Sequence, residues 1–213
     1  MSTCYTQPML SYITPYDFQI LDAIQNALAC PFADAFFSFV TQLGDSGFIW
    51  IVIACILTCI KRFRVIGITA LVSIGIIGVF GEIGLKSLVG RPRPFIQDPS
   101  IALLIPPPSG FSFPSMHAGS SFAVATVICS LPALYKSLDK KVPTSAKVAM
   151  ALSIIGACVI AFSRLYVQVH FPSDVFIGTL FGIASGLIAI YITPPCLKFV
   201  KKRFEKHNAS SNK

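Results

Sequence analysis

Long apolar runs separated by short polar segments dominate the chain. Val65–Gly81 and Gly119–Tyr135 carry no charged residue. Runs approaching the roughly 20 residues needed to cross a bilayer predict transmembrane helices. Gly and Pro within them are tolerable, because neighbouring helices satisfy the freed backbone groups. The pattern predicts spans at approximately Gly47–Ile60, Val65–Leu88, Ser115–Tyr135, Lys147–Leu165 and Ser173–Ile192. The first is short and needs flanking residues or a thinned bilayer.

The stretch before these spans reads differently. Met1–Tyr16 is polar and lacks the basic segment and apolar core of a signal peptide. From Tyr16 to Cys30, Phe18, Ile20, Leu21, Ile24 and Leu28 alternate at helical spacing with Asp17, Asp22, Gln25 and Asn26. That predicts a helix lying in the membrane surface. A second short amphipathic helix follows over Phe32–Leu43, with Asp34 near its start. Leu43-Gly44-Asp45-Ser46-Gly47 breaks it, and Asp45 or Ser46 caps the first span. A crossing by the N-terminal segment would submerge Asp17, Asp22 and Asp34, which favours surface placement. The expected fold is all-α, an integral membrane bundle of about five to six transmembrane helices with an N-terminal amphipathic helix. One domain spans 1–213: an amphipathic region over 1–46, a transmembrane core over 47–193 and a basic tail over 194–213.

Composition agrees with a membrane protein, at 54% hydrophobic and 12% charged residues. The net charge of +8 follows from topology. Residues 1–60 contain no Lys or Arg, whereas basic residues crowd Lys61–Arg64, Lys136–Lys147 and the tail from Lys198. An odd number of crossings puts these three segments on one side, which the positive-inside rule makes cytoplasmic. The tail can also attract anionic headgroups. No basic run carries interleaved aromatics, so no nucleic-acid partner is expected; the expected partners are the bilayer and a membrane lipid. The seven cysteines include no Cys-x2-Cys pair, and Cys55, Cys59, Cys129 and Cys158 sit inside apolar runs as small hydrophobes.

Lys86, Arg91, Arg93 and Arg164 break the charge rule, because they fall on the extracytoplasmic side. Basic residues at that depth are costly unless paired or bound to an anion. Three loop regions bring them together with histidines: Lys86–Pro94, Phe113–His117 and Arg164–Asp174. An arginine clamps phosphate oxygens with a planar fork of donors. A histidine serves as nucleophile or proton carrier, and a nearby carboxylate holds its tautomer. Ser115 stands where a span begins, so its hydroxyl and the first-turn amides form an anion-binding terminus. Glu82 lies one turn before Lys86 and can pair with it. Arg91 contacts a second phosphate or a headgroup, or faces solvent. Asp98 and Pro106–Pro108 fall in a loop over the site.

Lys86-x6-Arg93-Pro94, Pro114-Ser115-Met116-His117 and Ser163-Arg164-x5-His170-x3-Asp174 together resemble the three-part signature of the type 2 phosphatidic acid phosphatases. That superfamily also includes vanadium-dependent haloperoxidases. The middle motif commonly has glycine where this chain has Met116, which is acceptable if the residue adopts ordinary first-turn geometry. The resemblance implies that His170 attacks phosphorus, Asp174 orients it and His117 protonates the leaving group. It implies that Lys86, Arg93, Arg164, Ser115 and the Met116 amide bind the phosphate, and that no metal or other cofactor is needed. Small chains of this kind look most like bacterial phosphatases acting on undecaprenyl diphosphate or phosphatidylglycerophosphate, with phosphatidic acid a further substrate.

Two readings from other classes compete. A non-catalytic anionic-lipid-binding protein would use the same cationic pocket, but has no use for a nucleophile with an orienting carboxylate. A transporter would carry charge along its spans, whereas these span centres are nearly uncharged. Haloperoxidase chemistry belongs to soluble relatives, although vanadate is expected to inhibit by occupying the phosphate site.

Overall fold

The computed structural model describes residues 7–137 and 144–211, and among them it contains helices and no strands. The helices are α1 (Gln7–Leu28), α2 (Pro31–Leu43), α3 (Phe48–Cys59), α4 (Arg64–Ile77), α5 (Lys86–Val89), α6 (Pro94–Gln97), α7 (Met116–Cys129), α8 (Leu131–Ser137), α9 (Ala146–Tyr166) and α10 (Pro172–Ser211). A 3₁₀ turn, Asp45–Gly47, joins α2 to α3, and a π-helical stretch, Gly78–Leu85, joins α4 to α5.

Packing is inverted relative to a water-soluble bundle. Ile83, Leu152, Ile155, Phe176 and Leu187 are exposed on outward helix faces, where acyl chains solvate them at no hydrophobic cost. The centre is built from small residues instead. Helix α7 buries Ala118, Gly119, Ser120, Ser121, Ala123, Val124 and Ala125. Helix α10 lays Gly178, Gly182 and Gly186 directly against it; a Cβ added at Gly178 would stand 2.3 Å from the Ser115 carbonyl oxygen. Close backbone approach through small residues is how helices associate without a hydrophobic drive. A cluster around Val40, Trp50, Ala54, Ile66, Val127 and Ile160 ties α2, α3, α4, α7 and α9 together.

The chain is a multi-pass membrane protein. Arg64–Gln97, Ala146–Tyr166 and Pro172–Cys196 are long and apolar enough to cross a bilayer. Pro31–Leu43 and Asp45–Cys59, bent by 48°, pass the same test only when taken together, as a broken span or a re-entrant loop. They are the helices expected at Phe32–Leu43 and Gly47–Ile60. The expected span at Ser115–Tyr135 breaks at Ser130 into α7 and α8.

The N-terminal helix, Gln7–Leu28, carries Pro15 within it and packs on α9 and α10. Asp17, assigned from its spacing to a solvated face, is 2% exposed. The reason is a partner distant in sequence, Arg91, which spacing cannot reveal. Of the cysteines, Cys4 lies outside the described residues, Cys55, Cys59 and Cys158 are exposed on the spans, and the Cys30 sulfur caps α2 by accepting from the Ala33 amide.

Candidate active site

The three loop regions and the α2–α3 turn enclose a cavity of about 620 Å³ lined by Glu82, Lys86, Arg93, Met116, His117, Arg164 and His170, together with Asp45 and Ser109. Gly90 closes α5 in a left-handed conformation (φ 63°) and turns the chain so that Arg91 and Arg93 run across the top of the bundle. Proline at the first position of α6 and of α10 ends the two loops that carry Arg93 and His170.

His170 is 2% exposed in the turn between α9 and α10. Arg93 Nη1 lies 3.2 Å from His170 Nε2 and donates to the Val169 carbonyl at 2.9 Å. A guanidinium carries donors and no acceptor, so Nε2 must present its lone pair and the ring proton must sit on Nδ1. Nδ1 faces Asp174 Oδ2 at 3.8 Å, beyond hydrogen-bond range, and has no hydrogen-bond partner among the described residues. Burial, reinforced by the charges of Arg164 and Arg93, holds the His170 pKa well below 6.5. The ring is therefore neutral at physiological pH, with its Nε2 lone pair turned toward Arg93 in the cavity.

Asp174 is fully buried in the first turn of α10. Its Oδ2 accepts the Phe171 amide at 2.9 Å, closing the helix N-terminus from the third position. Its Oδ1 accepts from Arg91 Nη1 at 2.7 Å. Arg91 does not face solvent or the cavity. It is 3% exposed, stacks 3.9 Å over the Phe171 ring, and its other arm donates to Asp17 Oδ2 at 2.8 Å. Asp17 in turn accepts the Ser173 amide and hydroxyl, so α1 supplies part of the cap of α10. Sequence reading missed Asp17 as part of this assembly; the signal available was an acidic residue in an otherwise insertable helix.

The cavity's side chains expected to bind an anion differ in how they are held. Arg93 Nε and Nη2 donate to the Gly110 and Ser109 carbonyls at 3.0 and 3.1 Å. Arg164 is 2% exposed and donates to Thr41 Oγ1, while its Nε finds no protein partner. Neither arginine has a carboxylate within ion-pair distance among the described residues, so both charges remain open to an anion. Ser115 caps α7 by position, yet its buried hydroxyl also lacks a partner. Lys86 bonds both carboxylate oxygens of Glu82, at 2.9 and 2.8 Å, in the ion pair their spacing suggests. His117, in the first turn of α7, places Nε2 3.0 Å from Asp45 Oδ1. Among the described residues no group of three or more His, Cys, Asp or Glu side chains is placed to hold a metal ion.

Met116 occupies the first helical position of α7, with ordinary helical geometry from there on. Its thioether fills the hollow beside Gly81, where a Cβ would stand 2.8 Å from the sulfur. Asp98 bonds Ser100 instead of reaching the cavity, whereas Pro108 and Ser109 of the same loop line it.

The sequence profile of the PAP2 superfamily matches residues 65–198. An undecaprenyl-diphosphatase of Sulfolobus acidocaldarius is 36% identical over 154 residues, 72% of this chain and 68% of its own. A lipid A 4'-phosphatase of Bacteroides thetaiotaomicron is 28% identical over 195 residues, 86% of this chain and 80% of its own. The crystal structure of a transmembrane PAP2-type phosphatidylglycerolphosphate phosphatase from Bacillus subtilis superposes with a TM-score of 0.65 at 25% identity, covering 84% of each chain.

Proposed function

The chain belongs to the PAP2 superfamily of membrane phosphatases, and from that premise we propose that it hydrolyses a lipid phosphate or diphosphate through a phosphohistidine. His170 Nε2 attacks phosphorus and forms the N–P bond as the ester or anhydride P–O bond breaks. Asp174 holds the Nδ1 proton and stabilises the charge that the ring acquires. Lys86, Arg93 and Arg164 neutralise the phosphoryl oxygens, and the Ser115 hydroxyl with the Met116 amide completes the cradle. His117 protonates the departing oxygen. Water then attacks phosphorus, the N–P bond breaks, and phosphate leaves. The carrying observation is the orientation of His170: Nε2 on Arg93 in the cavity, Nδ1 toward Asp174. A pocket that merely binds anions gains nothing from a buried neutral imidazole at its centre.

Two features support a lipid substrate. An apolar groove of about 560 Å³, lined by Leu43, Trp50, Ile53, Leu152, Gly156 and Ile160, begins one residue from Gly44, which lines the catalytic cavity. The site also lies at the ends of the spans, within reach of a headgroup. The distribution of Lys and Arg supports an extracytoplasmic site and a cytoplasmic tail. Undecaprenyl diphosphate is the favoured substrate because the Sulfolobus relative is named for it; phosphatidylglycerophosphate and phosphatidic acid follow.

Phosphate release from these lipids by purified protein in detergent with EDTA tests the reading. Metal-independent release that His170→Ala abolishes is expected, and the ranking of rates names the substrate. Release unaffected by His170→Ala, or none from a folded wild type, refutes it.

A further inference from the structure

Asp45 belongs to none of the three motifs and lies outside the residues that match the family profile. The fold nevertheless brings it onto His117. Chain geometry at the α2–α3 break does this. A Cβ at Gly44 would stand 2.7 Å from His117 Cδ2, so only glycine lets the turn approach the ring. Ser46 and Gly47 both take left-handed conformations, φ 51° and 70°. Such a conformation is uncommon for serine and marks a turn held by its surroundings. The result is a contact of 3.0 Å between Asp45 Oδ1 and His117 Nε2, with the His117 side chain 13% exposed and that of Asp45 63% exposed.

We propose that Asp45 is the positioning carboxylate of the general acid, so that the site contains two His–Asp pairs of opposite function. The inference rests on the phosphatase reading above. With Nε2–H on Asp45, the His117 ring presents Nδ1 as the nitrogen that serves the leaving oxygen. Burial and the Arg164 charge favour the neutral His117 ring, and Asp45 opposes them; the anionic phosphate of a bound substrate adds to Asp45, and the ring enters the reaction doubly protonated. As the His170 N–P bond forms and the P–O bond breaks, the Nδ1 proton passes to the leaving oxygen, and the ring becomes neutral while keeping its proton toward Asp45. When water attacks phosphorus and the N–P bond breaks, a water proton returns to Nδ1 and the cycle closes. Asp45 stays ionised throughout and stabilises the imidazolium, as the carboxylate of a catalytic triad does. It is the favourable charge on a ring that shares its cavity with Arg164 from α9, Lys86 from α5 and Arg93 from the following loop, with Glu82 bound to Lys86 and His170 neutral.

A general acid matters most for a poor leaving group, which separates this role from a structural one. Asp45→Asn, His117→Ala and His170→Ala are compared on phosphatidic acid, whose alcohol leaves poorly, and on p-nitrophenyl phosphate, whose phenolate leaves without help. Asp45→Asn is expected to lower kcat/KM on the lipid by about a hundredfold and on the aryl ester by less than about threefold. The basic limb of its lipid pH profile should move to lower pH. Vanadate-induced thermal stabilisation, measured on each variant, reports whether the anion site is intact. Equal losses on both substrates, an unchanged lipid rate, or loss of the vanadate response together with both activities each overturn the inference. The underlying reading fails separately, if His170→Ala remains active. If His170→Ala is dead and His117→Ala shows the leaving-group selectivity that Asp45→Asn lacks, the Asp45 role alone falls.

Discussion

Replacing Arg91 with Met tests whether the buried Asp17–Arg91–Asp174 assembly holds both the fold and the nucleophile. The side chains of Arg91, Asp17 and Asp174 are 2%, 3% and 0% exposed. Methionine restores much of the packing on Phe171 but leaves two buried carboxylates without their cation. Breaking a buried ion pair from one side costs about 3–5 kcal/mol. At about 2–4 °C per kcal/mol for a chain of this size, the melting temperature in detergent should fall by roughly 6–20 °C. Catalysis should suffer independently, because Asp174 Oδ1 loses the contact that sets the carboxylate plane behind His170. A misplacement of this kind costs about a hundredfold in kcat, with little change in KM, since Arg91 does not line the cavity. A double substitution supplies the internal control. Asp17→Asn removes one of the stranded charges, so Asp17→Asn with Arg91→Met should melt higher than Arg91→Met alone, while its rate stays low. An Arg91→Met protein that melts within about 3 °C of wild type and keeps its rate would refute the reasoning.

Two further outcomes follow from the geometry. Gly178→Ala puts a methyl 2.3 Å from the Ser115 carbonyl oxygen, forcing α10 from α7 at the seam between His117 and Asp174. It should cost about 1–3 kcal/mol and lower the rate, whereas Gly75→Ala, which meets nothing within 4 Å, should be neutral or stabilising by up to about 1 kcal/mol; equal melting temperatures for the two would sink the packing account. Because burial depresses the His170 pKa below 6.5, the unfolded chain takes up the proton first as pH falls. Stability from this group is complete above about pH 6.5 and declines below it, and thermal melts from pH 8 to 5 should show that slope in wild type and its loss in His170→Ala.

The parts of the site that the sequence reveals are those whose chemistry is written in contiguous segments. His170 and Asp174 are four residues apart across a helix start, and Glu82 and Lys86 are one turn apart, so spacing alone sets their geometry. Charge asymmetry exposed Lys86, Arg93 and Arg164, because they fall outside the three segments where the other basic residues gather. What sequence cannot show is pairing between distant segments. Asp17 and Arg91 are each unremarkable in place, and only the packing of α1 on α10 turns them into a buried ion pair. Asp45 reads as a helix cap, which is its ordinary use beside Gly and Ser, and the left-handed turn that sends it to His117 is a tertiary outcome. Span boundaries blurred for a related reason: α7 is buried on all sides by small residues, so its length answers to its neighbours more than to bilayer thickness.

Met116 shows how a departure from a motif is absorbed by residues the motif does not include. A side chain at this position sits beside the first-turn amides of α7 proposed to receive the phosphate, where glycine would leave room. Here the room is made on the opposite wall. Gly81 has no Cβ to meet the Met116 thioether, and it lies inside the π-helical stretch Gly78–Leu85, whose wider turn shifts the backbone outward. Ser115 and His117 keep the positions that helix geometry gives them, because the methionine begins an ordinary α-helical turn. The substitution therefore changes the lining of the cavity without disturbing its anion-binding groups. Its flexible, polarisable thioether and the Phe181 ring of α10 both border the space beside Gly81. Met116→Gly is therefore expected to alter the ranking of rates on lipid phosphates more than the rate on p-nitrophenyl phosphate, and equal changes on both would refute this account of the methionine.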